Sequence, residues 1–357
     1  MIDLNNREEI VKTHKGDEVI ISIDSLSKQL EHSFTEASKI IFSDEYKNIS
    51  NIIVAGMGGS RFPALIIKEL FKQEISVPIV INDDYHLPGF VNSNTLVILS
   101  SYSGTTEEVI AMGKQALEKN AKLAGICAGG EIESFLNNLS ATTYIFDPIY
   151  NPSKQPRIGF GYAIGGLLGI LTQLEVIKIE PQEIRKAIDA LPQLIEEFKI
   201  NTPKEINLAK QLAEQLYQKY PYYIVSEFLT GVGNAIQNQT NETAKQIASF
   251  RIIPELNHHL MEGLQYPDSL KEIGIFVFFY SKHYSPSIQK RFRITKDVVE
   301  KNNLKTIWYE LKGANSIETT FELMALGSYL SMYLASIYGV DPSDIPYVNY
   351  FKDQLKK

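Results

Sequence analysis

Short apolar runs alternate with longer helix-patterned stretches through the first third of the chain, and this alternation restricts the fold more than any other feature. Residues 51–55 (NIIVA) lead into the glycine-rich GMGGS and then into RFPALIIKELFK, whose apolar spacing fits a helix. VPIVI at 77–81, TLVILS at 95–100, the helical TTEEVIAMGKQALEKN and LAGICA at 123–128 continue the series. Strands alternating with helices of ten or more residues predict a parallel sheet covered on both faces. Three prolines within 147–156 interrupt the pattern, after which a glycine-rich helix is expected from about Arg157.

A second pass begins near Tyr220, where YYIVS and a loop GVGN echo the first strand and its glycine turn, and IGIFVFFY at 273–280 supplies another strand. EKNAKLAGIC at 118–127 and EKNNLKTIWY at 300–309 repeat a helix end turning into a strand, half the chain apart. Supersecondary units recurring at half the chain length predict a duplicated α/β domain. The polar stretch 191–204 is the expected joint, dividing the chain into 1–195, with an N-terminal helical extension, and 196–357, with C-terminal helices. Two charge-free runs, 158–174 and 323–340, are diluted by glycine and serine and are expected to be buried helices, with no membrane span.

Composition narrows the function classes. With Lys+Arg 35 against Asp+Glu 42 the net charge is −7, which offers no basic surplus for nucleic acid or an anionic membrane. The single Cys127 cannot form an internal disulfide or a thiolate metal site, and the charged N-terminus lacks the apolar core of a signal peptide. A cytoplasmic location is expected.

Two loops carry the first chemistry. Gly56-Met57-Gly58-Gly59-Ser60, between a strand and a helix, offers main-chain N–H groups to an anion. Arg61 stands where the third glycine of a dinucleotide fingerprint belongs. Asp83 lies farther beyond Gly56 than the ~20 residues normal for a ribose-binding acid, so a nicotinamide site is disfavoured. The second loop places Ser101, Ser103, Thr105 and Thr106 where a strand ends and a helix begins. Clustered hydroxyls at such a point suit a bound phosphate ester, and no Walker lysine follows to promote reaction at phosphorus. The plainer alternative is helix capping by Ser103 or Thr105 with Glu107 or Glu108.

GMGGS, SYSGTTEE, NETAK and PELNHH occur in that order and resemble the signature segments of the sugar isomerase (SIS) superfamily, specifically its bifunctional phosphoglucose/phosphomannose isomerases. The resemblance runs from Asn51 to Lys352. It implies two SIS domains, each a five-stranded parallel sheet flanked by helices in a three-layer α/β/α sandwich, and a homodimer with active sites between subunits. It also implies interconversion of glucose 6-phosphate, and of mannose 6-phosphate, with fructose 6-phosphate, without metal or cofactor. Position by position, it puts Gly59, Ser60, Ser101, Ser103 and Thr106 at the substrate phosphate. Arg157, in QPRIGFGY, matches the arginine held beside the reacting carbons and is expected at a helix start. Glu242 in NETAK matches the catalytic base, and His258 in PELNHH follows at the spacing of the family's histidine. DPSDIPYVNYFK resembles the C-terminal stretch and brings Lys352 to the twelfth position from Asp341, where the family's lysine assists ring opening with His258.

Aldose–ketose isomerisation needs these residue types. The ring opens, a carboxylate moves a proton between neighbouring carbons, and a fixed cation lowers the energy of the cis-enediolate between the two steps. The alternatives are a non-catalytic sugar-phosphate-binding SIS regulator and an isomerase of another phosphosugar. His258, His259 and Glu262 lack the H-E-x-x-H spacing of a zinc site, and Phe276, Phe278, Phe279 and Tyr280 fit a core strand.

Overall fold

In the computed structural model, which describes residues 2–355, three helices precede the first strand: α1 (Arg7–Ile10), α2 (Gly16–Asp24) and α3 (Leu26–Ala37). The first half then runs β1 (Asn51–Ala55), α4 (Phe62–Leu70), β2 (Ile79–Asn82), β3 (Thr95–Ser101), α5 (Glu107–Glu118), β4 (Lys122–Cys127), α6 (Gly130–Asn138), β5 (Thr142–Ile145), α7 (Phe160–Gln173) and α8 (Pro181–Leu194). The second half holds α9 (Leu208–Leu216), β6 (Tyr220–Ser226), α10 (Thr230–Ala244), β7 (Ser249–Ile253), α11 (Leu270–Ile273), β8 (Gly274–Tyr280), α12 (Pro286–Lys301), β9 (Lys305–Glu310), α13 (Ser316–Tyr338) and α14 (Pro346–Leu355). The strand orders are β2-β1-β3-β4-β5 and β7-β6-β8-β9, and every pairing within both sheets is parallel.

The central strands are buried along their whole length, as parallel strands covered on both faces must be. Alternation divides the first sheet. Ile53, Val97, Leu99 and Cys127 face a small core under α5 and α6. Ile52, Val54, Leu96 and Ile98 face a larger core that continues through Tyr223, Val225, Phe276 and Phe278 of the second sheet. One apolar interior therefore joins the halves, and the expected joint is no open linker: Pro192 lies inside α8 and Phe198 is fully buried. The two charge-free runs become α7 and α13, both almost wholly buried. No helix among the described residues is long and apolar enough to cross a membrane.

Two sequence expectations need correction. The second sheet has four strands rather than five. After β9 the Asn315 carboxamide accepts from the N–H groups of Ile317 and Glu318 (3.0 and 2.9 Å), which starts the 23-residue α13, and the described residues beyond it form a loop and α14 rather than a fifth strand. GVGN is not a turn either but lies inside α10. A Cβ at Gly231 would sit 2.5 Å from the Cα of Ile66, so this glycine lets α10 lie directly against α4. The turn after β6 is instead made by Glu227, Phe228 and Leu229.

Candidate active site

The two hydroxyl- and glycine-bearing loops meet at the C-terminal ends of the adjacent strands β1 and β3. Ser60 Oγ accepts from the Tyr102 N–H (2.9 Å), and the Ser100 hydroxyl donates to the Ser60 carbonyl (3.0 Å), so the loops are tied to each other. Ser101 and Thr106 share a hydroxyl hydrogen bond of 2.8 Å, and Ser103 and Thr105 one of 3.0 Å. The capping alternative does not hold. The N-cap of α5 is Thr106, whose side chain makes no cap hydrogen bond. Gly58 adopts a left-handed φ of +48°, and a Cβ there would meet nothing within 4 Å. Among the described residues no carboxylate accepts from Ser60, Ser101, Ser103 or Thr106, so the cradle can take an anion at the start of a 12-residue helix.

Gly59 packs this cradle against the segment of the expected arginine, because a Cβ there would lie 3.0 Å from the Arg157 main-chain nitrogen. Arg157 sits in a turn three residues before α7 rather than at its first residue, and it is no surface loop residue: 2% of it is exposed. Its guanidinium donates to Thr243 Oγ1 (3.1 Å), Gln155 Oε1 (2.9 Å), the Pro342 and Ser343 carbonyls (2.7 and 3.1 Å) and Glu242 Oε2 (3.5 Å). Burial pulls the arginine below its ordinary pKa, and the charges of Glu242, Asp341 and Asp344 oppose that shift. A buried cation surrounded by acceptors is the arrangement that keeps it charged and rigid. Glu242, near the end of α10, leaves about a third of its side chain open (33%), enough for a carboxylate oxygen to reach a ligand.

His258 and Lys352 stand apart from this pair. His258 ends a short turn (Glu255–His258) after the edge strand β7, where it is exposed and shares a groove of about 470 Å³ with Met261, Lys290 and Arg291 on α12. Lys352 is exposed on α14, a helix with no buried residue. Neither side chain bonds to Glu242 or Arg157 within the chain.

Sequence reasoning passed over the residues that fix the pair. Thr243 and Lys245 lie in the quoted NETAK, and the approach of residues 341–344 from the far end of the chain has no local signature. Gln239 completes the support by donating to the Arg157 carbonyl and to Ser328 Oγ (both 2.9 Å). Asp83, the misplaced ribose acid, is engaged by Arg61 at 2.6 Å, and Arg61 also reaches Asn234 on α10. Among the described residues no cluster of three or more His, Cys, Asp or Glu could hold a metal ion.

The SIS domain family matches residues 45–143, and the bacterial phospho-glucose isomerase C-terminal SIS domain matches residues 205–355. A bifunctional phosphoglucose/phosphomannose isomerase from Caldicellulosiruptor bescii is 30% identical over 94% of this chain and 98% of its own length. One from Thermoplasma volcanium is 27% identical over 91% of this chain and 98% of its own. Among solved structures, the hypothetical protein TT0462 of Thermus thermophilus superimposes with a TM-score of 0.74 at 13% identity, covering 95% of this chain and 90% of that one. A glucose-6-phosphate isomerase like protein of the same organism gives 0.63 at 17% identity, covering 98% and 100%, so both likenesses concern the fold alone. Matches across both halves, and a Caldicellulosiruptor relative covered almost end to end, establish that the chain belongs to the bifunctional phosphoglucose/phosphomannose isomerase family.

Proposed function

We propose that the chain interconverts glucose 6-phosphate and mannose 6-phosphate with fructose 6-phosphate, a reading supported by relatives named bifunctional phosphoglucose/phosphomannose isomerase. The observation that carries this reading is the packing of Gly59 against the main chain of Pro156 and Arg157, which sets the anion cradle beside the segment that bears the Glu242-paired arginine. The cradle of Gly59, Ser60, Ser101, Ser103 and Thr106 holds the phosphate, leaving the far end of the sugar to the pair. Glu242 takes a proton from the carbon beside the carbonyl and returns it to the neighbouring carbon. Arg157 stabilises the enediolate between the two transfers: four shorter hydrogen bonds hold the guanidinium in place, and the longest, to Glu242 at 3.5 Å, is the one the enediolate replaces.

Ring opening falls to His258 and Lys352. His258 is exposed and separate from the pair within the chain, which supports a homodimer in which each subunit lends His258 to the other's site. Tyr347, Tyr350 and Phe351 on α14 are exposed at 87%, 65% and 59%, an apolar surface consistent with burial on such a partner.

The test is fructose 6-phosphate formation followed separately from each hexose phosphate. Turnover of both is expected. Tight binding with turnover of neither would overturn the isomerase reading in favour of a sugar-phosphate sensor.

A further inference from the structure

The catalytic end of α10 is covered by residues 341–344, and hydrogen bonds from Arg157 and Lys245 reach the main-chain carbonyls of this segment. Arg157 Nη2 donates to the carbonyls of Pro342 and Ser343, at 2.7 and 3.1 Å. Lys245 Nζ donates to those of Asp341 and Asp344, at 2.7 and 2.6 Å. Four successive carbonyls therefore end on two cations. The same cations hold the last turn of α10: Arg157 through Thr243 Oγ1, and Lys245 through the Glu242 carbonyl at 2.8 Å. Asp341 shapes the covering segment, since its carboxylate accepts from the N–H of Ser343 (2.7 Å), the Ser343 hydroxyl (2.6 Å) and the N–H of Asp344 (3.2 Å). α14, with Lys352, begins two residues after Asp344.

Lys245 is an unusual residue for its position. It terminates α10 in the left-handed region (φ 56°, ψ 22°), where glycine is the common choice and any side chain meets steric resistance. Lys15 and Lys154 share the left-handed φ (59° and 55°), so what sets Lys245 apart is its ammonium, which reaches the carbonyls of two segments.

We propose that Lys245 is a positioning residue of the active site: it clamps residues 341–344 onto the end of α10, setting Arg157 against Glu242 and fixing the point from which α14 carries Lys352. The proposal rests on the roles given above to Glu242, Arg157 and Lys352. Burial first, then the neighbouring Arg157 charge, lower the Lys245 ammonium to about 8, opposed by Asp341, Asp344 and Glu242. The residue is nonetheless exposed overall, so solvent reaches the clamp. Deprotonation removes a donor hydrogen and weakens it.

The test combines amide hydrogen exchange over residues 341–352 with kcat and KM, in the full-length wild-type chain and in Lys245→Met. The amides are expected to exchange at least ~10-fold faster in Lys245→Met. kcat should fall ~10-fold or more with KM held within ~3-fold, because a small misplacement of the pair slows the chemistry while the phosphate cradle touches neither Lys245 nor residues 341–344. Lys245→Arg, which keeps the charge and the donors, should recover most of kcat. Should Lys245→Met not fold, wild-type exchange between about pH 7 and about pH 9, corrected for intrinsic rates, decides the matter: protection of the segment is expected to fall as the lysine loses its proton. Unchanged protection and unchanged kcat in Lys245→Met, or pH-independent protection in the wild type, would overturn the proposal. A wild-type chain that isomerises neither hexose phosphate would remove the isomerase reading instead, and the exchange result would still decide whether Lys245 holds the segment.

Discussion

The two halves build the same strand-end loops and treat an anion in opposite ways. In the first half the turn after β1 begins at Gly58 (φ +48°) and the helix after β3 is preceded by Thr106. In the second half the matching turn after β6 begins at Glu227, also left-handed at φ +44°, and the helix after β8 is preceded by Ser285. Glu227 takes the carboxylate where Gly58 leaves space: it accepts from the Ser285 N–H (3.0 Å) and the Ser285 hydroxyl (2.6 Å). The loop after β9 repeats the theme, with Glu322 accepting from the N–H groups of Lys312 and Gly313 (2.8 and 2.9 Å). The second half thus satisfies its strand-end donors with its own acids, while the hydroxyls at the matching loops of the first pair with one another and with main-chain N–H groups, and no carboxylate among the described residues takes their place. For the phosphate site proposed in the first half, a duplicated fold needs only this difference of side chains.

Making the first half resemble the second should have the largest effect. Gly58→Glu places a carboxylate in the cradle at a φ that Glu227 already tolerates. Binding of hexose phosphate is expected to weaken by ~10³-fold or more, about 4 kcal/mol, through like-charge contact and lost space. Titration calorimetry on the folded variant measures it, and binding close to wild type would break the equivalence of Gly58 and Glu227.

Glu322 gives the next effect. Burial above all pushes this acid from 4.5 up to about 7, against the pull of the Gly313 and Lys312 N–H groups. A carboxyl that titrates higher folded than unfolded stabilises the fold below its unfolded value, and that stabilisation is lost as the pH rises to about 7. Between those limits the wild type should lose up to about 3 kcal/mol relative to Glu322→Gln, which keeps an acceptor and does not titrate. Urea unfolding at a series of pH values reads the slope, and parallel curves for the two proteins would contradict it.

Glu227→Ala is the smallest and most specific change. It strands the Ser285 donors and removes an anion from the start of α12, for a loss of about 1–2 kcal/mol. Inorganic phosphate should restore part of that loss in the variant and nothing in the wild type, as read from Tm with and without phosphate.

Much of the fold was legible because its central strands are continuous apolar runs. β1 spans the residues expected for it, and β3 and β8 differ by one residue at an end. Of the four edge strands, β2 and β9 fall on runs the sequence marks, whereas β5 and β7 do not: TTYI and SFRII mix polar and apolar residues and carry no clear period. GVGN misled because glycine marks both turns and close helix contacts, and the true second turn hides in a left-handed glutamate that no propensity would select. At the candidate site, the hydroxyls proposed for the phosphate form a local cluster that the sequence displays directly. The burial of Arg157 was not, since its acceptors come from segments 85 and 185 residues away.

The central claim is a division of labour, with the phosphate held by the first half and the proton moved by Glu242 of the second. The most direct measurement is kcat and KM for Glu242→Gln, which keeps the shape and removes the base. The predicted result is a kcat lower by at least ~10²-fold with KM within ~3-fold of wild type. A kcat near the wild-type value would contradict it.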